Sequence, residues 1–170
     1  PESVGPAIAE FAIDEVKRKV LPGILGGELV MAIGYTEPHA GTDLAALKTR
    51  AVRDGGHYVI SGQKVFTSLA HLADYVFLAV RTGDPGTHPR HKGISMLLVP
   101  TDSPGFSRTP IHTVADGETN TTDYDNVRVP VSHLVGPENG ATLPIEADLN
   151  IASPVMESHQ KNAGGNARIA

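Results

Sequence analysis

Residues 49–68 read TRAVRDGGHYVISGQKVFTS, and they decide the fold. Asp54, Gly55 and Gly56 form a turn signal between two short runs rich in β-branched and aromatic residues, so a β-hairpin is expected there. The second run alternates: Tyr58 and Ile60 fall on one face, Val59 and Ser61 on the other. That period of two marks a half-buried strand.

DYVFLAVRT (74–82) and GISMLLVP (93–100) are apolar on both faces, as strands covered on both sides are. A polar, Pro- and Gly-rich excursion, GDPGTHPRHKG (83–93), separates them. ELVMAIG (28–34) is another short apolar run. GFSRTPIHTV (105–114) and TTDYDNVRVP (121–130) complete a set of six or seven strands. No helical pattern interrupts the series. The expected fold class is therefore mainly β, an antiparallel barrel or sandwich rather than a parallel βαβ sheet.

Upstream, AIAEFAIDEVKRKVL (7–21) carries Ile8, Ala12, Val16 and Val20 four apart. This predicts one helix packing on a larger body, ended by Pro22 and Gly23. Beyond about Gly140, helical periodicity is weak and no core position can be assigned. No internal repeat is evident.

Composition excludes several functions. The 170 residues contain no cysteine, which removes disulfide scaffolds, thiol catalysis and Cys-based zinc sites. A net charge of −5 without a basic cluster argues against nucleic acid. No apolar run reaches the roughly 20 residues of a membrane span. No secretory signal opens the chain, so a cytoplasmic location is the default expectation. The first residue is Pro, which suggests a processed product or a fragment. The eight histidines show no metal-ligand spacing, and His88 and His91 read as residues of a solvated loop. Phosphate-binding Gly-rich motifs and a Gly-x-Ser-x-Gly elbow are also missing.

Two segments remain as candidates for binding. In YTEPHAGTD (35–43), Thr36 and Thr42 offer hydroxyls, Gly41 permits close backbone approach to a ligand, and Pro38 stiffens the turn. In GQKVFTSLA (62–70), Phe66 is an aromatic face beside the hydroxyls of Thr67 and Ser68. An aromatic wall next to small hydroxyls suits a flat heteroaromatic ligand with polar edges. The ordinary alternative is a side-chain-capped turn and a strand with a core Phe.

Taken together, residues 10 to 140 resemble the acyl-CoA dehydrogenase family. YTEPHAGTD is similar to its Thr-Glu-Pro-x-x-Gly-Ser-Asp signature, with Thr42 in place of Ser. YVISGQKVFTS is similar to its Gly-x-Lys-x-Trp-Ile-Thr segment, and TNTTDYDNVRVPVSHLVG to the strand and exit closing its middle domain. The resemblance implies an antiparallel β-barrel of the middle-domain type with a flanking N-terminal helix. Residues 1–27 would end an N-terminal helical domain, 28–137 form the barrel, and 138–170 a divergent or truncated tail.

It also implies FAD as cofactor. Ile33 to Thr42 would lie along the flavin, with Thr36 on its pyrimidine edge and backbone help from Tyr35. Thr42 would sit near the FAD pyrophosphate or the thioester substrate. Phe66 stands where the family has Trp against the isoalloxazine, and Ser68 where it has a Thr near flavin N5. Gly41 and Thr67 belong to the same cradle. The implied reaction is α,β-dehydrogenation of an acyl-CoA: a carboxylate base takes the α-proton as hydride leaves Cβ for the flavin, which carries the redox chemistry. Electron-transfer flavoprotein would be the acceptor, and the full-length protein an oligomer.

The family's base lies in a C-terminal helical domain outside this chain, so no catalytic residue is assigned and the chain alone is expected to be inactive. Glu37 reads as a brace for its loop, and Asp116 and Glu118 as solvated turn carboxylates. The alternatives are a related flavin monooxygenase or nitroalkane oxidase, or a non-catalytic β-barrel binding module.

Overall fold

The computed structural model describes residues 4–84, 86, 88–89, 92–114, 118–141 and 144–145. Helices α1 (Val4–Phe11) and α2 (Asp14–Gly26) precede eight strands: β1 (Met31–Gly34), β2 (Arg50–Asp54), β3 (His57–Lys64), β4 (Tyr75–Arg81), β5 (Ile94–Pro100), β6 (Phe106–Ile111), β7 (Thr119–Pro130) and β8 (Leu134–Val135). No described helix is long and apolar enough to cross a membrane.

The expected single helix is two. The chain breaks at Ala12 and Ile13, where Ile13 is extended (φ −70°, ψ 157°). Ile8, Ala12, Val16 and Val20 are all buried nonetheless, so spacing by four survives the break. The expected stop at Pro22 is also displaced. Pro22 lies inside α2, which ends at Gly26, capped by Gly27 in the left-handed region at φ +73°. Buried Val20 and Ile24, two residues to either side of Pro22, pack into the core and carry the helix past the residue that would ordinarily end it.

The strands form one sheet in the order β6-β7-β3-β2-β4-β5-β8, with β1 added alongside β4. Most neighbours are antiparallel, as expected, and the predicted hairpin turns at Gly55 and Gly56, pairing Asp54 with His57. Two pairings are parallel: β1 with β4, and Arg50 of β2 with Arg81 of β4.

Side-chain alternation along β4 and β5 separates two cores. Val76, Leu78, Val80, Leu97 and Val99 face a cluster shared with Tyr58, Ile60, Tyr124, Val127 and Val129. Strands from distant places in the order thus contribute to one interior, which requires the sheet to curl on itself. Phe77, Ala79, Met96 and Leu98 face the other way, onto Ile8, Val16, Val20 and Ile24 of the helices. Strands covered on both sides are what the unbroken apolar runs predicted.

The parallel pairings create the feature on which the candidate site depends. Met31 to Gly34 run beside Tyr75 to Leu78, and Arg50 lies beside Arg81. The chain therefore leaves the edge of β4 after Gly34 and returns only three positions further along. Residues 35–49 are the excursion, a compact loop with closely spaced ends.

Candidate binding cleft

Loop 35–49 begins with a tight turn. Glu37 N–H donates to Ala40 O at 2.9 Å, and Ala40 N–H returns a bond to Glu37 O at 3.1 Å. Pro38 and His39 occupy the turn, the first with its φ preset by the ring. The Glu37 side chain folds back under the loop and is 3% exposed. Its carboxylate accepts Lys48 N–H at 2.7 Å, Thr49 N–H at 2.8 Å and the Lys64 ammonium at 2.9 Å. Burial alone would raise its pKa. The Lys64 charge, with hydrogen bonds from Thr49 and Lys48, outweighs that and holds it below the ordinary value. His39 Nε2 stands 3.6 Å away on the exposed side.

Lys64 ends β3 and is fully buried. It donates to Glu37 and, at 3.1 Å, to the Tyr35 carbonyl. Burial pulls its pKa down, against the opposing pull of Glu37. The sequence assigns Lys64 no candidate role, yet its position carries a signal: the alternation placing Tyr58 and Ile60 inside places Lys64 inside too, although Gly62 at the same parity is exposed. The bulge in this pair lies on β7, where Asn126 takes φ +55°, so β3 keeps its period. Gly62 has φ +150°, and a Cβ there would lie 2.6 Å from Thr49 Oγ1. Only glycine lets β3 approach the end of the loop so closely.

After Lys64 the chain follows the loop. Val65 N–H donates to Thr36 O at 2.9 Å. Phe66 then takes φ +58° and Leu69 φ +61°, conformations that cost a bulky side chain of order 1 kcal/mol or more. The Phe66 ring is 62% exposed as a result.

Between these two segments lies a cleft of about 360 Å³, lined by Met31, Ala32, Ile33, Tyr35, Thr36, Val65, Phe66, Ser68 and Leu69. Five of the residues singled out in the sequence meet there: Ile33, Tyr35, Thr36, Phe66 and Ser68. The other three lie elsewhere. Gly41 and Thr42 sit exposed on the outer part of the loop, where a Cβ on Gly41 would meet only Thr36 Cγ2, at 3.9 Å. Thr67 is buried beneath the cleft. Its hydroxyl pairs with Thr122 Oγ1 at 3.3 Å, and Thr122 Oγ1 lies 3.2 Å from the buried Tyr124 hydroxyl.

The chemistry available is that of a binding surface. Thr36 N–H and Oγ1 have no hydrogen-bond partner among the described residues, so both remain for a ligand. The Ser68 hydroxyl is exposed and makes only a 3.5 Å contact with Thr119 Oγ1. An apolar floor, an aromatic wall and a few polar donors fit a flat heteroaromatic group. No carboxylate lines the cleft among the described residues, and Glu37 is fully engaged below it. Glu118 proves less isolated than expected, with Oε1 3.3 Å from His71 Nδ1; Asp116 lies outside the described residues. No group of metal-binding side chains occurs among the described residues.

Comparison with known proteins matches this geometry to a family. Residues 32–127 match the model for the acyl-CoA dehydrogenase middle domain. The acyl-CoA dehydrogenase FadE29 of Mycobacterium tuberculosis is 56% identical over 151 residues, which cover 88% of this chain and 38% of that protein. Among solved structures, the Tcur3481-Tcur3483 steroid ACAD superposes with a TM-score of 0.85 at 55% identity, over 89% of this chain and 39% of that one. A glutaryl-CoA dehydrogenase from Mycobacterium smegmatis in complex with FADH2 gives 0.75 at 33% identity, over 86% of this chain and 36% of that one. The chain thus spans about two fifths of the length of these relatives. It belongs to the acyl-CoA dehydrogenase family, with residues 32–127 corresponding to the middle domain.

Proposed function

We propose that this chain supplies the flavin-binding wall of an FAD-dependent acyl-CoA dehydrogenase. The observation carrying the proposal is the cleft itself: Thr36 N–H and Oγ1 unpaired beside an aromatic ring held out by a left-handed backbone. Thr36 would hydrogen-bond the polar edge of the ring, Phe66 would cover one face, and Ile33 and Tyr35 would flank it. Ser68 would bond a ring nitrogen. Gly41 and Thr42, further out on the loop, would meet the phosphate end of the cofactor or the thioester. The FADH2 complex of a relative supports the same cofactor. Bound FAD supplies a two-electron acceptor for hydride from the substrate Cβ.

The remaining roles belong to this chain's own residues. Ile33 and Phe66 exclude water from the ring, and the donors fix its orientation. The substrate would be an acyl-CoA, made α,β-unsaturated by loss of an α-proton and a β-hydride. The steroid ACAD at 55% identity supports thioesters carrying a steroid skeleton over simple linear chains. Glu37 is excluded as the base by its buried hydrogen bonds, so proton abstraction falls to a group outside the cleft residues described. Electron-transfer flavoprotein is the proposed acceptor, an oligomer the proposed assembly and the cytoplasm the proposed location. The proposed division is the end of a helical domain at 1–27, a barrel at 28–137 and a divergent or truncated tail at 138–170.

The test is direct. The protein produced from its complete gene should purify yellow, and its visible absorbance should bleach anaerobically with a steroid-derived acyl-CoA faster than with a linear one. A colourless protein that takes up no FAD on titration would sink the flavin reading. A flavoprotein bleached only by linear thioesters would sink the substrate assignment alone.

A further inference from the structure

We infer that Glu37 and Lys64 are positioning residues of the cleft: their buried ion pair fixes the Tyr35–Thr36 peptide and thereby sets the direction of the Thr36 donors. In a trans peptide the C=O and the following N–H point in opposite directions, and no cis peptide occurs among the described residues. The Tyr35 carbonyl is drawn onto the Lys64 ammonium at 3.1 Å. The Thr36 N–H must then point away from Lys64. The next carbonyl, that of Thr36, is held by Val65 N–H at 2.9 Å. Two consecutive carbonyls of the loop are thus tied to two consecutive residues of the other segment.

Glu37 makes this arrangement possible. It neutralises an ammonium that is otherwise fully enclosed, and it binds the Lys48 and Thr49 amides where the loop returns to the sheet. One carboxylate therefore joins the start of the loop, its end and the opposite segment. Stability alone gives little reason for such a pair, since a well-packed apolar pair of similar volume is often as stable or more so. An apolar pair would offer no donor to the Tyr35 carbonyl and no acceptor to the two amides. The ammonium also polarises the Tyr35–Thr36 peptide, which makes Thr36 N–H a stronger donor.

The functional side of this inference rests on the flavin reading, but its geometric core does not, and the experiment separates the two. Lys64→Met alone strands a buried carboxylate and risks unfolding. The paired variant Glu37→Gln/Lys64→Met removes both charges together and keeps the volume. In ligand-free protein, amide hydrogen exchange at Val65 reads the bond to Thr36 O. The paired variant is expected to speed that exchange by about tenfold or more, with β4 and β5 amides unchanged. Unchanged Val65 exchange in a folded paired variant overturns the inference.

FAD titration followed by flavin fluorescence supplies the second arm. The paired variant is expected to bind about tenfold more weakly, with the bound flavin shifted to a more negative reduction potential. Equal affinity and potential in the two proteins overturn the link from peptide to ligand. Wild-type protein that takes up no FAD, while Val65 exchange still accelerates in the variant, refutes the flavin reading and upholds the peptide lock.

Discussion

The two walls of the cleft are held in place by opposite means. Residues 35–49 are pinned by a buried polar network, with Glu37 accepting from Lys48, Thr49 and Lys64. Residues 65–72 show Phe66, Leu69 and Leu72 to solvent, and two of these sit at positive φ. The first wall is over-determined by hydrogen bonds, and the second stores backbone strain. The contrast suits a site with one fixed reference edge and one wall whose aromatic ring needs a ligand to cover it. It also means that substitutions in the two walls should change stability in opposite directions.

The largest effect is expected from Glu37→Ala. It leaves the Lys64 ammonium buried without a counter-charge, with only the Tyr35 carbonyl to accept from it, and two amides without an acceptor. Loss of one member of a buried pair costs about 3–5 kcal/mol. Urea unfolding of the variant should show that loss in the midpoint, with little change in slope. A cost under about 1 kcal/mol would mean that the loop is not pinned through this residue, and the contrast between the walls would fail.

Acid should probe the same wall more gently. The Glu37 carboxyl has an ordinary value of 4.5 and lies below it in the fold. A depressed folded value contributes stability that is complete above pH 4.5 and lost as the pH falls through the lower folded value. On acidification below that point, the wild-type melting temperature should fall more steeply than that of Glu37→Gln/Lys64→Met. Parallel curves would remove Glu37 from the acid response.

Much of this contrast was legible in the sequence, though unevenly. The doubly buried strands followed from the unbroken runs at 75–81 and 94–100, because burial on both faces leaves no polar alternation to read. The hairpin followed from Asp54-Gly55-Gly56, because φ at Gly55 is +58° and few other residues accept it. The two segments of the cleft were legible as loops rich in hydroxyls. The parallel pairing of β1 with β4 was not, since a strand's sequence carries little information about its partner. The helix break at Ala12 and Ile13 escaped because the apolar spacing is the same on either side of it. Thr67 looked like a second hydroxyl of the cleft, but the turn after β3 sends it inward to Thr122. Lys64 was hidden by its charge: a lysine at the end of a strand is ordinarily solvated, and only the parity of its position says otherwise.

The smallest effect is expected in the strained wall, from Leu69→Gly. The side chain is 48% exposed, so its removal costs little burial. Glycine adopts φ +61° without a Cβ penalty, at the expense of a more disordered unfolded chain. The two terms nearly cancel, leaving a gain of less than about 1 kcal/mol. Phe66→Gly should behave alike in thermal unfolding of the ligand-free protein, because the same backbone strain is relieved there. The two variants should part only when FAD is added: Leu69→Gly should retain most of its affinity, and Phe66→Gly should lose the aromatic wall. If both lose more than about 1 kcal/mol without ligand, the segment is held by packing rather than strained by it. The two walls would then differ only in the polarity of what holds them.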